Sequence, residues 1–312
     1  MHANPLTRDQ FERTLKSTAA LNEIKRPATT YWKDAWRRLR SNPVAMVSMG
    51  ILALIVILAI VIPFVSPYAY DQQDYTAINQ GPSAQHWFGT DSLGRDIFVR
   101  CWAGARVSLL IALVATCINV IIGVLYGGIS GYFGGRVDMI MMRGVEIIYT
   151  IPDLLWVIML MVVMGSGLNT IIIAIAITGW GSMARLVRGQ VLQLKQSEYV
   201  MASKTLGAGF GRIIFKHLIP NCMGPIIIDL TFSIPSAIFT EASLSYLGMG
   251  IPVPLASWGT LANDGANMLL LYPYQLFFPA LLISLTMLGF NLLGDGLRDA
   301  LDPRLRLSLI HI

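Results

Sequence analysis

The chain has 312 residues, of which 54% are apolar and only 13% charged, with a formal net charge of +5. The charged share is about half the ~25% of a soluble domain, which excludes an ordinary soluble fold. The cationic excess would suit an acidic partner if it were spread evenly, but it is concentrated in a few polar segments between apolar runs, as in a protein that crosses a membrane. Cys101, Cys117 and Cys222 lie far apart, form neither a CxxC nor a metal-ligand spacing, and are expected to be buried structural thiols.

Residues 1–28 are polar, carry no apolar period and are expected to be mobile. Trp32, Ala35, Trp36 and Leu39 then recur at i, i+3, i+4 and i+7, while Lys33, Arg37, Arg38 and Arg40 take the other face. This predicts a helix over 31–41, ended by Asn42-Pro43, that lies in the inner headgroup layer or packs as a soluble helix on a partner. A signal peptide has a short basic start, unlike the polar segment 1–43. The first uncharged run, 44–65, would rise about 33 Å as a helix, against a hydrocarbon core of about 30 Å. It is predicted to be a retained first span.

Five further spans are predicted, at 104–132, 137–164, 168–187, 223–247 and 276–297. The uncharged run 154–184 is too long for one helix, and Gly165-Ser-Gly-Leu-Asn169 supplies the turn that divides it into a hairpin. Gly123, Gly127, Gly131 and Gly135 stand at four-residue intervals, the spacing that lets helix backbones approach closely in lipid. Tight packing is their predicted role, with a substrate contact through exposed backbone as the lesser alternative. Pro152, Pro225 and Pro235 each remove an intrahelical hydrogen bond and are predicted to break spans three and five. Kinked spans suit a hydrated path and an ordinary bundle alike.

Cytoplasmic segments are enriched in Lys and Arg. With the N-terminus inside, the inner segments hold twenty basic residues and the outer ones only Arg95, Arg100 and Arg106. Both termini, including the tail 298–312, and the loop 188–221 are therefore expected on the cytoplasmic side, with 66–103 outside. The result is an all-α polytopic membrane protein with six transmembrane helices.

No catalytic constellation appears. The histidines at 2, 86, 217 and 311 pair with no other His or Cys at ligand spacing, and the G-x-x-x-x-G-K-[ST] phosphate loop is missing from the sequence. Four acids fall within the predicted spans, where a charge costs at least ~2.5–3.5 kcal/mol. Glu146 follows Arg143 by three residues and is predicted to pair with it; Asp153 is placed to cap the helix restarting after Pro152. Asp229 and Glu241 lie about 18 Å apart along a helix, and a translocation path and a purely structural role both fit them. Gly89-Thr-Asp-Ser-Leu-Gly-Arg-Asp96 is rich in oxygen ligands but lacks the alternation and final Glu of an EF-hand, so a turn-rich outer cap is predicted.

The loop 198–221 is the most informative segment. Tyr199, Ala202 and Leu206 fall on one helical face, Gly207 provides a stop, and a second helix is predicted through 212–218, ended before Pro220. A helical hairpin lying on lipid and a docking element fit this pattern equally. The loop resembles the cytoplasmic coupling loop of ABC import permeases, whose pattern reads Glu-Ala-Ala, three residues, Gly, nine residues, Ile-x-Leu-Pro. Here Met201-Ala202-Ser203, Gly207 and His217-Leu218-Ile219-Pro220 take those places. Together with Gly89-Thr-Asp-Ser-Leu-Gly-Arg-Asp96, Gly131-Tyr-Phe-Gly-Gly135, Ala184-Arg-Leu-Val-Arg-Gly189, Glu241-Ala-Ser-Leu-Ser-Tyr-Leu-Gly248, Ser257-Trp-Gly259 and Gly294-Asp-Gly-Leu-Arg-Asp-Ala-Leu-Asp-Pro303, the sequence from roughly 31 to 304 is similar to the C-type permease subunits of peptide/nickel importers.

That resemblance implies the type I importer permease fold, with a five-helix core over 104–297. It also implies that Glu198, Tyr199, Met201, Ala202, Ser203, Leu206, Gly207, His217 and Pro220 belong to the element that docks on an ATPase. Because Met201 replaces the motif's Glu, the contact is expected to rest on shape and apolar burial, with Ala202 and Gly207 at its core. The implied partners are a second permease chain, two ATPase subunits that use ATP and Mg, and an extracytoplasmic binding protein meeting 66–103 and 248–275, all at a bacterial cytoplasmic membrane. Peptide import is the implied function, with nickel import or a stand-alone secondary transporter as alternatives.

Overall fold

A computed structural model describes residues 31–301; the segments 1–30 and 302–312, and with them the expectation made for 1–28 and most of the tail, lie outside the described residues. Ten helices are numbered in order among the described residues: α1 (Tyr31–Ser41), α2 (Pro43–Val65), α3 (Ile97–Phe133), α4 (Gly135–Thr150), α5 (Asp153–Met164), α6 (Leu168–Leu194), α7 (Glu198–Thr205), α8 (Phe210–Met249), α9 (Trp258–Asn267) and α10 (Tyr274–Leu301). Five of them, α2, α3, α6, α8 and α10, are long and apolar enough to cross a membrane. The pair α4 and α5 makes a sixth crossing only as a span bent by 79° at its middle.

Helix α2 begins where Asn42 accepts a hydrogen bond from the Ala45 N–H at 3.2 Å and Pro43 takes the first turn, the arrangement in which proline's missing N–H is harmless. Its buried residues, Ala45, Ser48, Leu52, Ile55 and Ala59, recur at alternating steps of three and four, a seam of coiled-coil type. Gly289 and Gly296 of α10 admit Leu52 and Ala45 of that seam, while Val47, Leu54, Ile57 and Ile60 face outward, as lipid requires. Pro63 sits inside α2 and cannot donate to the Ala59 carbonyl four residues back. Arg106 of α3 fills the gap, donating Nε to Ala59 and Nη2 to Ile60 while its guanidinium lies 4.5 Å from the Phe64 ring centre.

Helix α3 starts at Ile97, seven residues before the predicted span, under an Asp96 cap that receives the Val99 N–H at 2.9 Å. The charges that suggested a later start are absorbed inside the protein: Arg100 is only 2% exposed. Along the α3–α6 seam, a Cβ on Gly123 would lie 2.8 Å from the Trp180 carbonyl, one on Gly127 would overlap the Ala184 carbonyl, and one on Gly131 would stand 2.9 Å from that of Arg188. The partners on α6 are themselves four residues apart, so the two helices meet along matched ridges. Gly135 departs from the prediction. It lies outside the seam with open space around it, at φ +54°, where the chain turns from α3 into α4.

The prolines behave unequally. Pro152 marks the α4–α5 bend, but Pro225 and Pro235 lie within an α8 that continues through them, contrary to the predicted breaks. Asp153 opens α5 without capping it through its side chain; Arg143 and Glu146 do pair, at 2.7 Å on an exposed face. Cys101 and Cys222 are buried, whereas Cys117 is exposed on α3, in a stretch whose apolar face points away from the core.

In α1, Ala35 and Leu39 turn inward and join Ala45 and Ala300, while Trp32 and Trp36 stay about half exposed. The Tyr31 hydroxyl donates to the Leu301 carbonyl, tying α1 to the end of α10. Burial pushes the Asp34 carboxyl up, but Arg38 and Arg37 outweigh it and hold it below its ordinary value.

Candidate functional site

Two regions at opposite ends of the bundle hold the residues singled out by sequence. At one end, α6 runs into a short turn and α7 begins at Glu198. Val200 is the residue of α7 that points inward, 3% exposed, into a cluster with Val187, Val191, Ile213, Ile214, Leu218 and Cys222. Tyr199, Met201, Ala202 and Leu206 are all exposed, and Leu206 is bare at 88%. The apolar face that the spacing defined therefore points away from the protein.

Gly207 ends α7. Its φ is +84°, and the Ala208 and Gly207 N–H groups donate back to the Ser203 and Lys204 carbonyls, each at 3.0 Å. This is the paired bonding of a Schellman stop, which favours glycine at that position. Ser203 and His217 meet at 3.3 Å between Oγ and Nε2, and the Tyr199 and His217 rings lie 6.4 Å apart. Glu198 is exposed at the first turn, where a negative charge complements the helix dipole.

The second helix of the loop does not stop before Pro220. Phe210 through Met249 runs on as a helix broken only near its end at Gly248, whose φ of +81° is not helical, with a wider π-type turn at Ile213–Leu218 and exposed Pro220 in the turn after it. The widened turn and the first-turn position absorb the proline, so α7 rests directly on the foot of α8. Beside α7 opens a groove of about 580 Å³, lined by Tyr132, Phe133, Lys195, Val200, Met201 and Lys204 among others.

The ends of α3, α4 and α6 are bound together next to that groove. Arg188 donates through Nε and Nη2 to the two oxygens of Asp138, and the Ser130 hydroxyl donates to the same carboxylate. Lys195 donates to the Gly131 carbonyl at 2.8 Å, covering the open end of α3. Composition gave no signal for this clamp, because its members lie about 50 residues apart.

At the opposite end, residues 66–96 form a cap of turns, with Gly89 and Gly94 at φ +79° and +72° and a single isolated bridge between Thr90 and Asp96. Asp91 accepts the Leu93 and Arg95 N–H groups on one oxygen and the Arg95 side chain on the other. Tyr274 and Gln275 of α10 both reach the Thr90 carbonyl at 3.2 Å, and Phe88 stacks on Phe278 with ring centres 3.8 Å apart. The Thr76 hydroxyl and N–H both donate to Asp74 and hold its carboxyl below the ordinary value.

Asp229 and Glu241 prove unlike each other. Glu241 is fully buried, and its oxygens accept from Ser108 at 3.0 Å and Ser245 at 2.8 Å. Ser108 also accepts the Trp258 N–H, so one carboxyl joins α3, α8 and α9. Helix α9, which the sequence reading left inside an outer loop, is opened by a capping box between Ser257 and Thr260. Asp229 is partly buried, and its Oδ2 has no partner among the described residues.

Residues 123–307 match the family described as binding-protein-dependent transport system inner membrane component, and residues 30–82 match the N-terminal transmembrane domain of oligopeptide transport permease C. The chain is 54% identical over 301 residues to the oligopeptide transport system permease protein of Bacillus subtilis, covering 96% of this chain and 99% of that one. It is 56% identical over 286 residues to the dipeptide transport system permease protein of the same organism, covering 91% and 89%. A glutathione transport system permease protein of Escherichia coli is 41% identical over 278 residues, covering 89% and 92%.

Proposed function

The chain belongs to the family of binding-protein-dependent transport system inner membrane components, and we propose that it is the permease subunit through which an ATP-driven importer passes peptides. Its fold is the type I importer permease fold and it is a multi-pass membrane protein. The peptide substrate follows the names of its relatives, which carry oligopeptides, dipeptides or glutathione. In the intact importer it stands beside a second permease chain, above two ATPase subunits that use ATP and Mg, and beneath an extracytoplasmic binding protein. The excess of basic residues supports an orientation with the α7 end and both termini in the bacterial cytoplasm and the cap outside.

One observation carries the mechanism. Helix α7 turns Val200 inward and leaves Tyr199, Ala202 and Leu206 uncovered at the same end as the Asp138–Arg188 clamp. A helix lying on its own protein would do the reverse, so this face awaits an ATPase subunit. Because Val200 and the Ser203–His217 contact join α7 to α8, a push on α7 moves a helix of 40 residues, about 60 Å long. The foot of that lever is at the ATPase, and its far end carries Glu241 and the link to α9. Closure of the ATPases on ATP thus turns the bundle from inward-facing to outward-facing.

Glu241 does not suit a gradient-driven carrier, because both of its oxygens are committed to hydroxyl donors, which leaves Asp229 as the one acid of the pair with a free oxygen for that rival. The experiment is peptide uptake with Ala202→Glu, whose side chain enters solvent in the isolated chain. Uptake should be lost and the ATPase subunit released in a pull-down while the chain still folds. Undiminished uptake without any co-purifying ATPase would exclude the proposal.

A further inference from the structure

A helix at the rim of a membrane bundle needs an inward face and an apolar face for lipid; α4 has a third. Val145 is 1% exposed and packs with Trp180 and Ala184 of α6. At 3.6 residues per turn, Ile140 and Ile147 lie about 200–220° round the helix from it, and both are exposed, as lipid requires. Arg143, Glu146 and Thr150 lie at about 100–160° and are exposed as well. A polar stripe therefore runs along a side of α4 that none of the described residues covers.

The stripe lies at membrane depth. Helix α5 runs from Asp153 to the turn at Gly165 over 12 residues, about 18 Å, so the 79° bend between α4 and α5 falls near the middle of a ~30 Å core. Pro152 and Asp153 are exposed there, and α5 begins without a side-chain cap. Backbone outside a helix is tolerated at that depth only where protein or water meets it. The charges agree. Arg143 and Glu146 pair, yet their side chains are 75% and 58% exposed. Asp153 and Arg185 make no ion pair within 4.0 Å among the described residues. Tyr149 carries the stripe onto α6: its hydroxyl accepts the Ser182 N–H at 3.1 Å, and Arg185 Cζ stands 4.5 Å from its ring centre. Ser182 and Arg185 are both exposed.

Hydrocarbon rejects such a surface, and a dry protein contact would have to match four charges of both signs. Water solvates them without matching. We propose that Arg143, Glu146, Thr150 and Asp153, with Ser182 and Arg185 of α6, form the wetted wall of the path along which the peptide crosses the membrane. The two arginines stand toward the α7 end and Asp153 at mid-depth, so the wall offers both signs to the charged ends of a peptide. The proposal rests on the peptide-import reading above. It moves the path from Asp229 and Glu241, to which the sequence pointed, to the α4–α5 bend.

The test uses inside-out membrane vesicles holding the intact importer and a membrane-impermeant cationic methanethiosulfonate, with modification at each position read by mass spectrometry. Thr150→Cys and Ser182→Cys should react about tenfold faster than Ile147→Cys, because the reactive thiolate forms in water and is suppressed in apolar surroundings. Ser182→Cys stands on a different helix and decides the matter if Thr150→Cys does not assemble. Equal rates at 150 and 147 would overturn the proposal, since both sides of α4 would then share one medium. Unreactive cysteines at 150 and 182 in an assembled importer would place the stripe in a dry contact with the second permease chain, and would overturn it too. Complete modification at 150 should abolish uptake of tritiated trialanine by proteoliposomes supplied with binding protein and ATP; undiminished uptake would refute the wall. Wild-type proteoliposomes separate the two levels. Uptake without the labelling pattern refutes the wall alone, and no uptake refutes peptide import.

Discussion

Gly207 is the stop of α7 and is proposed to form part of a docking face, and substitution tells the two apart. An added Cβ meets no heavy atom within 4 Å, so the protein itself offers no steric objection to alanine. The cost comes from φ +84°, where an L-residue other than asparagine or aspartate loses about 1–2 kcal/mol. Spread over the two 3.0 Å stop bonds, that loss should raise amide exchange across 199–206 by about tenfold in Gly207→Ala. Asparagine tolerates the left-handed region, so Gly207→Asn should exchange almost as slowly as the wild type. Both variants, however, put new atoms on the face proposed to meet the ATPase, and both should lower ATPase retention in a pull-down. If Gly207→Asn retained the ATPase fully while Gly207→Ala lost it, the glycine would matter for backbone geometry alone, and the docking argument at this position would be wrong.

Three further outcomes test the packing that supports the lever. Gly127→Leu should destabilise the α3–α6 seam by about 3 kcal/mol or more, because its side chain overlaps the Ala184 backbone; Gly128→Ala, which meets only Ile214 Cδ1 at 4.0 Å, is the neutral control in detergent melting. Arg106→Met should cost about 1–2 kcal/mol by leaving the Ala59 carbonyl without a donor, and Pro63→Ala should recover part of that loss by restoring the intrahelical one. For Asp138→Asn and Arg188→Gln, a double-mutant cycle should give a coupling of about 1 kcal/mol, since the arginine is one-third exposed; additivity would mean that the clamp contributes nothing.

The long apolar runs made the crossing helices legible, because lipid forces the apolar lengths into the sequence. Boundaries failed where charges were absorbed inside. Arg100 hid the first two turns of α3, since its burial cannot be read locally. Pro225 and Pro235 do not break α8 for a related reason: a proline in a helix interior breaks it only where neighbours do not compensate, and neighbours are a tertiary fact. Gly207 could be read from its place after an amphipathic stretch, whereas Pro220 could not, because the π-type turn before it leaves no mark in the hydrophobic spacing. Asp229 and Glu241 looked alike in sequence and differ in the structure because Ser108, more than a hundred residues away, reaches only one of them. Helix α9 is marked in the sequence only by the capping box of Ser257 and Thr260, because the residues that follow lack the apolar length of a span.

The central claim is that the outward face of α7 meets an ATPase subunit. A photo-reactive benzoylphenylalanine placed at Leu206, bare in the isolated chain, tests it most directly in membranes containing the intact importer, with the same probe at Phe215, also exposed, as a comparison. The account predicts that light joins position 206 to a subunit whose sequence contains a phosphate-binding loop, identified by mass spectrometry, and that Ala202→Glu abolishes that product. Adducts to lipid alone at position 206, with the importer assembled and active, would contradict it.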